Sequence, residues 1–334
     1  MKIAFRVEAG SNIGMGHITR CMAIANELKA WGWSCTFLIK SEKNVINYII
    51  NNKFDYITVP DMMIEDELYW IKNIIKDYKV VFLDSYLLSS SYIEAISADN
   101  IVCCYDDNAL YKYSCDVVLN PNLYAKDLEF IFGMKKPKLL LGADYCILRD
   151  QFRTADKIKI RKNATNIFIC LGGSDMNNMT EEVVRRLQDI PNIKLVVVIG
   201  ALNNHYENIK GISKNNVTLI RDPKSMVDYM KQCDIGIISS GSIVYELCAI
   251  GLPAIVIAQA ANQMGIYNYI NKNNMMEGLG DWKSIDFEQL YVSTCNLLND
   301  FEKRKTQSER ITNSVNKNGV AKVASVLANM VENY

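Results

Sequence analysis

Only two histidines occur in 334 residues, and none of the ten cysteines forms a C-x-x-C pair. No His/Cys/Asp/Glu cluster has metal-ligand spacing, so no metal and no cofactor is expected. Lys and Arg total 37 against 37 Asp and Glu, and the balance removes any global pull toward nucleic acid or membrane. A local anion site stays open. No apolar run approaches the ~18 residues of a membrane span. Lys2 and Arg6 flank only a short apolar run before polar residues follow, so no signal peptide is read there. Most cysteines lie in apolar runs, as do Cys35, Cys103, Cys170 and Cys248, which suits buried reduced thiols and a cytoplasmic location. The Asn163-Ala164-Thr165 glycosylation match carries nothing in that setting. Short-period repeats and low-complexity segments are lacking too.

What is present is alternation. Short apolar runs at Lys2–Val7, Ser34–Ile39, Tyr56–Val59, Val80–Leu83, Ile101–Tyr105, Val117–Leu119 and Lys138–Leu141 read as strands, with amphipathic helical segments between them. A polar stretch from Asp150 to Thr165, including the basic run Lys157–Lys162, then intervenes as a linker or hinge. The alternation restarts at Ile167–Leu171, Lys194–Ile199, Val217–Leu219, Ile235–Ile238 and Ala254–Ile257, and the tail from Asp286 reads as two or three helices. The expected fold is α/β, with two Rossmann-like domains at residues 1–150 and 151–334 whose parallel sheets face across a cleft. The C-terminal helices are free to cross back to the first domain. Ligands of such sheets sit beyond the carboxyl ends of the strands, so the residues just after strands matter most.

After the first strand comes Gly10-Ser11-Asn12-Ile13-Gly14-Met15-Gly16-His17. Its glycines let backbone N–H groups approach an anion, and His17 falls in the first helical turn, where the dipole favours a neutral ring. The spacing differs from the dinucleotide fingerprint. The bland alternative is a tight turn with a capping histidine. Asp84-Ser85-Tyr86 ends another strand and suits substrate hydroxyls or an acid/base partner for His17; an ordinary Asp turn competes. Asp106-Asp107 reads as a solvated turn rather than a metal pair. Gly172-Gly173-Ser174-Asp175 offers N–H groups and a hydroxyl to a phosphate. Ser239-Ser240-Gly241-Ser242 runs into a helix on which Glu246 shares a face with Ser242, where a carboxylate suits a ribose diol. Gln259, Asn262 and Gln263 could orient a sugar or water. His205 reads as a surface residue.

Together, Ser11, Ile13, Gly14, Gly16, His17 and Arg20, with Asp84-x-Tyr86, Asn120-x-Asn122-x-Tyr124-Ala125, Leu148-Arg149, Gly172–Asp175, Glu246 and Asn262-Gln263, resemble a known family. It is the UDP-2,4-diacetamido-2,4,6-trideoxy-β-L-altropyranose hydrolases of pseudaminic acid biosynthesis, often called PseG. The pattern is shared in part with wider GT-B type glycosyltransferases. The resemblance implies a GT-B fold and metal-free cleavage of a UDP-sugar at C1, with inversion, water as acceptor and UDP as product. It implies His17 as general base and Glu246 on the uridine ribose. Gly172, Gly173, Ser174, Ser240 and Ser242 would hold the diphosphate, Asn262 and Gln263 would touch sugar or phosphate, and Tyr86 and Arg149 would line the sugar pocket. The loop after Ala258 carries no cation, so Arg20 or Arg149 is expected to help meet the diphosphate charge.

The partners implied are a small nucleotide-sugar and UDP, with no nucleic acid, no membrane span and a monomeric state. Two alternatives stand beside the hydrolase: a GT-B glycosyltransferase, for which Met62-Met63-Ile64 is a possible apolar acceptor surface, and a binding protein that retains the cleft without chemistry.

Overall fold

The computed structural model describes residues 1–10, 13–201 and 203–333. Its chain forms β1 (Lys2–Val7), α1 (Gly16–Ala30), β2 (Ser34–Ile39), α2 (Lys43–Asn51), β3 (Asp55–Thr58), α3 (Ile64–Ile74), β4 (Val80–Asp84), α4 (Ser90–Ser97) and β5 (Ile101–Tyr105). Then come β6 (Lys112–Tyr113), β7 (Val117–Asn120), β8 (Ile131–Phe132), β9 (Lys138–Leu141) and the short α5 (Asp150–Arg153). The second series is β10 (Asn166–Cys170), α6 (Met179–Leu187), β11 (Lys194–Ile199), α7 (Tyr206–Ile212), β12 (Val217–Arg221), α8 (Met226–Lys231), β13 (Ile235–Ser239), α9 (Ile243–Ile250) and β14 (Ala254–Ala258). It ends with α10 (Met264–Lys272), β15 (Glu277–Asp281), α11 (Phe287–Asn299), α12 (Phe301–Thr312) and α13 (Gly319–Glu332).

The chain divides into two compact units, Met1–Arg149 with Asn316–Tyr334, and Asp150–Val315. The first holds a parallel sheet ordered β3-β2-β1-β4-β5-β7-β9, the second one ordered β12-β11-β10-β13-β14-β15. Both sheets are covered by helices, as an all-parallel sheet requires. In β1 the side chains of Ile3, Phe5 and Val7 enter one core with α1, while Ala4 enters a second core on the other face. Arg6 follows Ala4 on that second face and is fully buried. It donates to Glu67 of α3 at 2.7 and 3.0 Å, and Tyr92 of α4 donates to the same carboxylate at 3.0 Å. This ion pair ties α3 and α4 beneath the loop that leaves β1.

The Asp150–Thr165 stretch is not a free linker. Phe152 is fully buried, Ile158 N donates to Ile250 O, and Arg161 pairs with Asp234, whose other oxygen accepts from the Thr165 and Asn166 amides. Buried Arg304 of α12 donates to the carbonyls of Arg161 and Lys162 and to those ending α11. Residues 316–333, within the C-terminal helices that the sequence leaves free to cross back, pack on the first unit. There α13 adds Val320, Val323, Ala324 and Leu327 to the core containing α1. Gly319 permits this: a Cβ there would meet the Cys146 backbone at 2.2 Å. β15 escaped the sequence reading because Glu-Gly-Leu-Gly-Asp contains one large apolar residue; its pairing with β14 makes it a strand.

Candidate active site

In each sheet one pair of neighbouring strands sends its connections to opposite sides. In the first unit the pair is β1 and β4, and in the second β10 and β13. Loops leaving the carboxyl ends of such a pair separate and open a crevice, where doubly wound proteins bind ligands. The residues at these points are Glu8–Gly10, Ile13–Gly16 and Ser85–Tyr86 in the first unit, and Leu171–Asp175 and Ser240–Ser242 in the second.

The loop after β1 closes on itself. Gly10 and Gly14 exchange backbone hydrogen bonds at 3.2 and 2.7 Å, and Gly14 has φ +85°, a conformation that needs glycine. Ser11 of the motif lies outside the described residues. Gly16 starts α1, whose N-terminus has no side-chain cap, and His17 is buried one residue later. Nδ1 of His17 lies 2.7 Å from Asp84 Oδ1 at the end of β4. Arg20 Nη2 also lies 3.1 Å from Nδ1 but donates to Asp84 Oδ1 at 2.6 Å; Asp84, which accepts only, favours the tautomer with the proton on Nδ1 and the lone pair on Nε2. Arg20, one turn along α1, donates to both Asp84 oxygens at 2.7 and 2.6 Å. Burial pushes Asp84 up, but Arg20 and then His17 outweigh it and hold the carboxyl well below the usual range. The guanidinium lies 3.6 Å from the Tyr105 ring centroid and also donates to Asp107 at 3.2 Å. Asp107 accepts from Tyr86 Oη at 2.7 Å and from Asn122 at 2.6 Å. The Tyr86 and His17 rings stand 4.8 Å apart at 85°. Burial and then Asp107 push the Tyr86 phenol well up.

In the second unit, Gly172 has φ +113°, and a Cβ on Gly200 would fall 2.1 Å from Gly173 O, so two glycines bring neighbouring loops together. Asp175 accepts from the Met179 and Thr180 amides and thereby occupies the N-terminus of α6. Ser174, just before Asp175, is half-buried. Ser242 precedes α9 without capping it, and Glu246, one turn on, is buried rather than on the surface. Asn177 donates to Gln259 O and Oε1 at 3.0 and 3.1 Å, and Gln259 N donates to Gln263 Oε1 at 3.0 Å. Gln263 Nε2 also stands beside Gly241. Asn262 is exposed on the same turn. Ser240 Oγ and Gln259 Nε2 are buried with no hydrogen-bond partner, two unused donors at adjacent strand ends.

The structure thus gathers Gly14, Gly16, His17, Arg20 and Tyr86 at one switch point. It gathers Gly172, Gly173, Ser174, Ser240, Ser242 and Gln263 at the other. Arg149 is half-buried at the end of the first unit's N-terminal segment. His205 is half-buried at the start of α7. Sequence reasoning missed Asp107, taken for a solvated turn, and gave no role to Asn177 or Tyr105. Asp106 does build a turn, through Asn108 N, Leu110 N and Tyr113 Oη, but it is buried, and the turn presents Asp107 to Arg20 and Tyr86. No local signal separates the two aspartates. Among the described residues no cluster of three or more His, Cys, Asp or Glu is placed to hold a metal, and no helix is long and apolar enough to cross a membrane.

Two Rossmann-like units in one chain define the GT-B class, and solved structures of that class match over the whole length. The MurG structure from Acinetobacter baumannii covers 98% of this chain with 99% of its own, at TM-score 0.69 and 12% identity. Among curated proteins the chain is similar to a PseG hydrolase and to related polysaccharide-biosynthesis proteins. The UDP-2,4-diacetamido-2,4,6-trideoxy-β-L-altropyranose hydrolase of Campylobacter jejuni is 26% identical over 81% of this chain and 97% of its own. The spore coat polysaccharide biosynthesis protein SpsG of Bacillus subtilis is 22% identical over 99% of both. An uncharacterized protein of Methanocaldococcus jannaschii is 28% identical over 81% of this chain, which spans 59% of that protein's length. No family profile matches the chain.

Proposed function

We propose that this chain hydrolyses a UDP-linked diacetamido-trideoxy sugar at C1, with inversion, releasing UDP and free sugar for pseudaminic acid biosynthesis. The Asp84–His17 pair carries the reading. Asp84 fixes the tautomer that leaves a lone pair on Nε2, and Nε2 takes a proton from the water attacking C1. The bond from C1 to the β-phosphate oxygen breaks, and UDP leaves with the electron pair. Asp84 offsets the charge of the imidazolium that forms, as an orienting carboxylate does in hydrolytic triads.

The second unit supplies nucleotide contacts. Glu246 accepts from the ribose diol, and Gly173, Ser174, Ser240 and Ser242 donate to the diphosphate, with Gln263 and Asn262 beside it. Arg20 takes a different role from a phosphate cation, because Asp84 and Asp107 already share its guanidinium. Preorganised N–H and O–H donors must then stabilise the leaving charge.

The test is UDP release from UDP-linked amino sugars with no acceptor added. His17→Ala should keep UDP affinity and lose on the order of 10²–10⁴-fold in kcat. In ¹⁸O-water the label should enter the sugar. Full activity of the variant, or label in UDP, overturns the reading.

A glycosyltransferase remains the second reading because of one observation. Met63 is 70% exposed just before α3 rather than packed under it, and Leu87, on the loop after β4, is also exposed. Apolar side chains on these loops suit an apolar acceptor. Sugar transfer to such an acceptor, with no UDP release in its absence, favours this reading.

A further inference from the structure

One carboxylate that accepts from Tyr86 and Arg20 has no part in the chemistry above. Asp107 Oδ2 accepts from Tyr86 Oη at 2.7 Å and Arg20 Nη1 at 3.2 Å. Its Oδ1 accepts from Asn122 Nδ2 at 2.6 Å, and its carbonyl accepts from Tyr124 Oη at 3.1 Å. Side chains from α1, from the loop after β4 and from the loop after β7 therefore meet on one residue. The site of this meeting is rigid, since buried Asp106 locks the turn through two backbone amides.

Tyr86 is the side chain that most needs such a partner. It is more than a third exposed, and exposed Leu87 follows it. A surface tyrosine on a strand-end loop has several staggered side-chain wells open to it. The hydrogen bond to Asp107 selects the one in which its ring stands at 85° to the His17 imidazole. His17 is then held at two points, at Nδ1 by Asp84 and on its ring by Tyr86. Catalytic geometry tolerates little misplacement, so a ring free to tilt costs rate without costing affinity.

We propose that Asp107 is a positioning residue: it fixes Tyr86 against His17 and thereby keeps Nε2 directed at the attacking water. It touches no reacting atom. The proposal rests on the hydrolase reading for its kinetic consequence, but its structural half is testable without substrate.

With only two histidines in the chain, proton NMR assigns His17 once His205→Gln removes the other signals. In the ligand-free protein the Tyr86 ring current shifts the His17 ring protons, and Tyr86→Ala marks their position without it. Asp107→Asn, close to isosteric, should move them most of the way to the Tyr86→Ala position. It should lower kcat about tenfold with KM within about twofold. Tyr86→Phe removes only the hydroxyl that Asp107 holds and leaves the buried turn intact, and it should do the same. The double variant should be no slower than the slower single, as expected of residues acting as one unit. His17 signals unmoved in both single variants, or a double whose loss is the product of the singles, overturns the proposal. A wild-type chain that releases UDP from no UDP-sugar overturns the hydrolase reading instead, while the NMR comparison still decides Asp107.

Discussion

Asp84 is where charge and geometry meet most tightly. Arg20 takes both of its oxygens, His17 takes one, and Cys21 Sγ leans on the other at 3.4 Å. Asp84→Asn can place an amide N–H opposite Nδ1, which reverses the tautomer and removes the lone pair from Nε2. We expect kcat to fall on the order of 10²–10⁴-fold with UDP affinity retained, measured by steady-state kinetics and calorimetry. Because the folded carboxyl sits below its unfolded value of ~3.9, the native state binds fewer protons than the unfolded one at acid pH. Its stabilisation is complete above that value and is lost as pH falls below it. The Tm gap between wild type and Asp84→Asn should therefore hold from pH 8 to pH 5 and shrink below about pH 4. The thiols give a second expectation. Burial pushes Cys35, Cys115, Cys233 and Cys248 up to about 12, and nine of the ten cysteines are buried, Cys295 being the half-buried exception. A thiol reagent at pH 8 should modify Cys295 first and the others only on unfolding. Rapid loss of several thiols from folded protein would count against these buried positions.

Elements meet through glycines at both switch points. Gly10 and Gly14 close the loop after β1, while Gly200 lets the loop after β11 touch Gly173. A Cβ at 200 would have backbone, not a flexible side chain, at 2.1–2.6 Å, so the Gly172–Ser174 loop has to move. Gly200→Ala should cost about 1–3 kcal/mol in urea unfolding. It should also weaken UDP binding about tenfold, near 1.4 kcal/mol, if that loop holds the diphosphate. Unchanged UDP affinity with lowered stability would take the loop out of the nucleotide site.

The whole chain is built from two units, yet the last helix belongs to the first. Leu327 is fully buried with Val320, Val323 and Ala324 in the core that carries α1 and so supports His17 from behind. Leu327→Ala should cost about 2–5 kcal/mol. Trp31, Trp33 and Trp70 report the first unit and Trp282 the second. In a Trp282→Phe background, fluorescence should show the first unit unfolding at lower urea. With Trp282 as the sole tryptophan, the second transition should stay in place. A loss confined to the second unit would contradict the packing of α13.

The sequence by itself determined the parallel α/β class, most of the strands and the residues at the strand ends. Apolar periodicity and the clustering of glycine and hydroxyl residues are local properties that need no partner to be legible. It also marked His17, Tyr86, Ser242 and Glu246, because each stands just past a strand or one helical turn beyond. Tertiary structure alone decided what those residues hold. Arg20 reaches Asp84 and Asp107 across 64 and 87 positions, pairings that no local pattern reveals. Asp106 and Asp107 are chemically identical neighbours, and only the turn between β5 and β6 makes one its anchor and the other a clamp. α13 reads as an ordinary amphipathic helix, and its unit is settled only by which core accepts its apolar face.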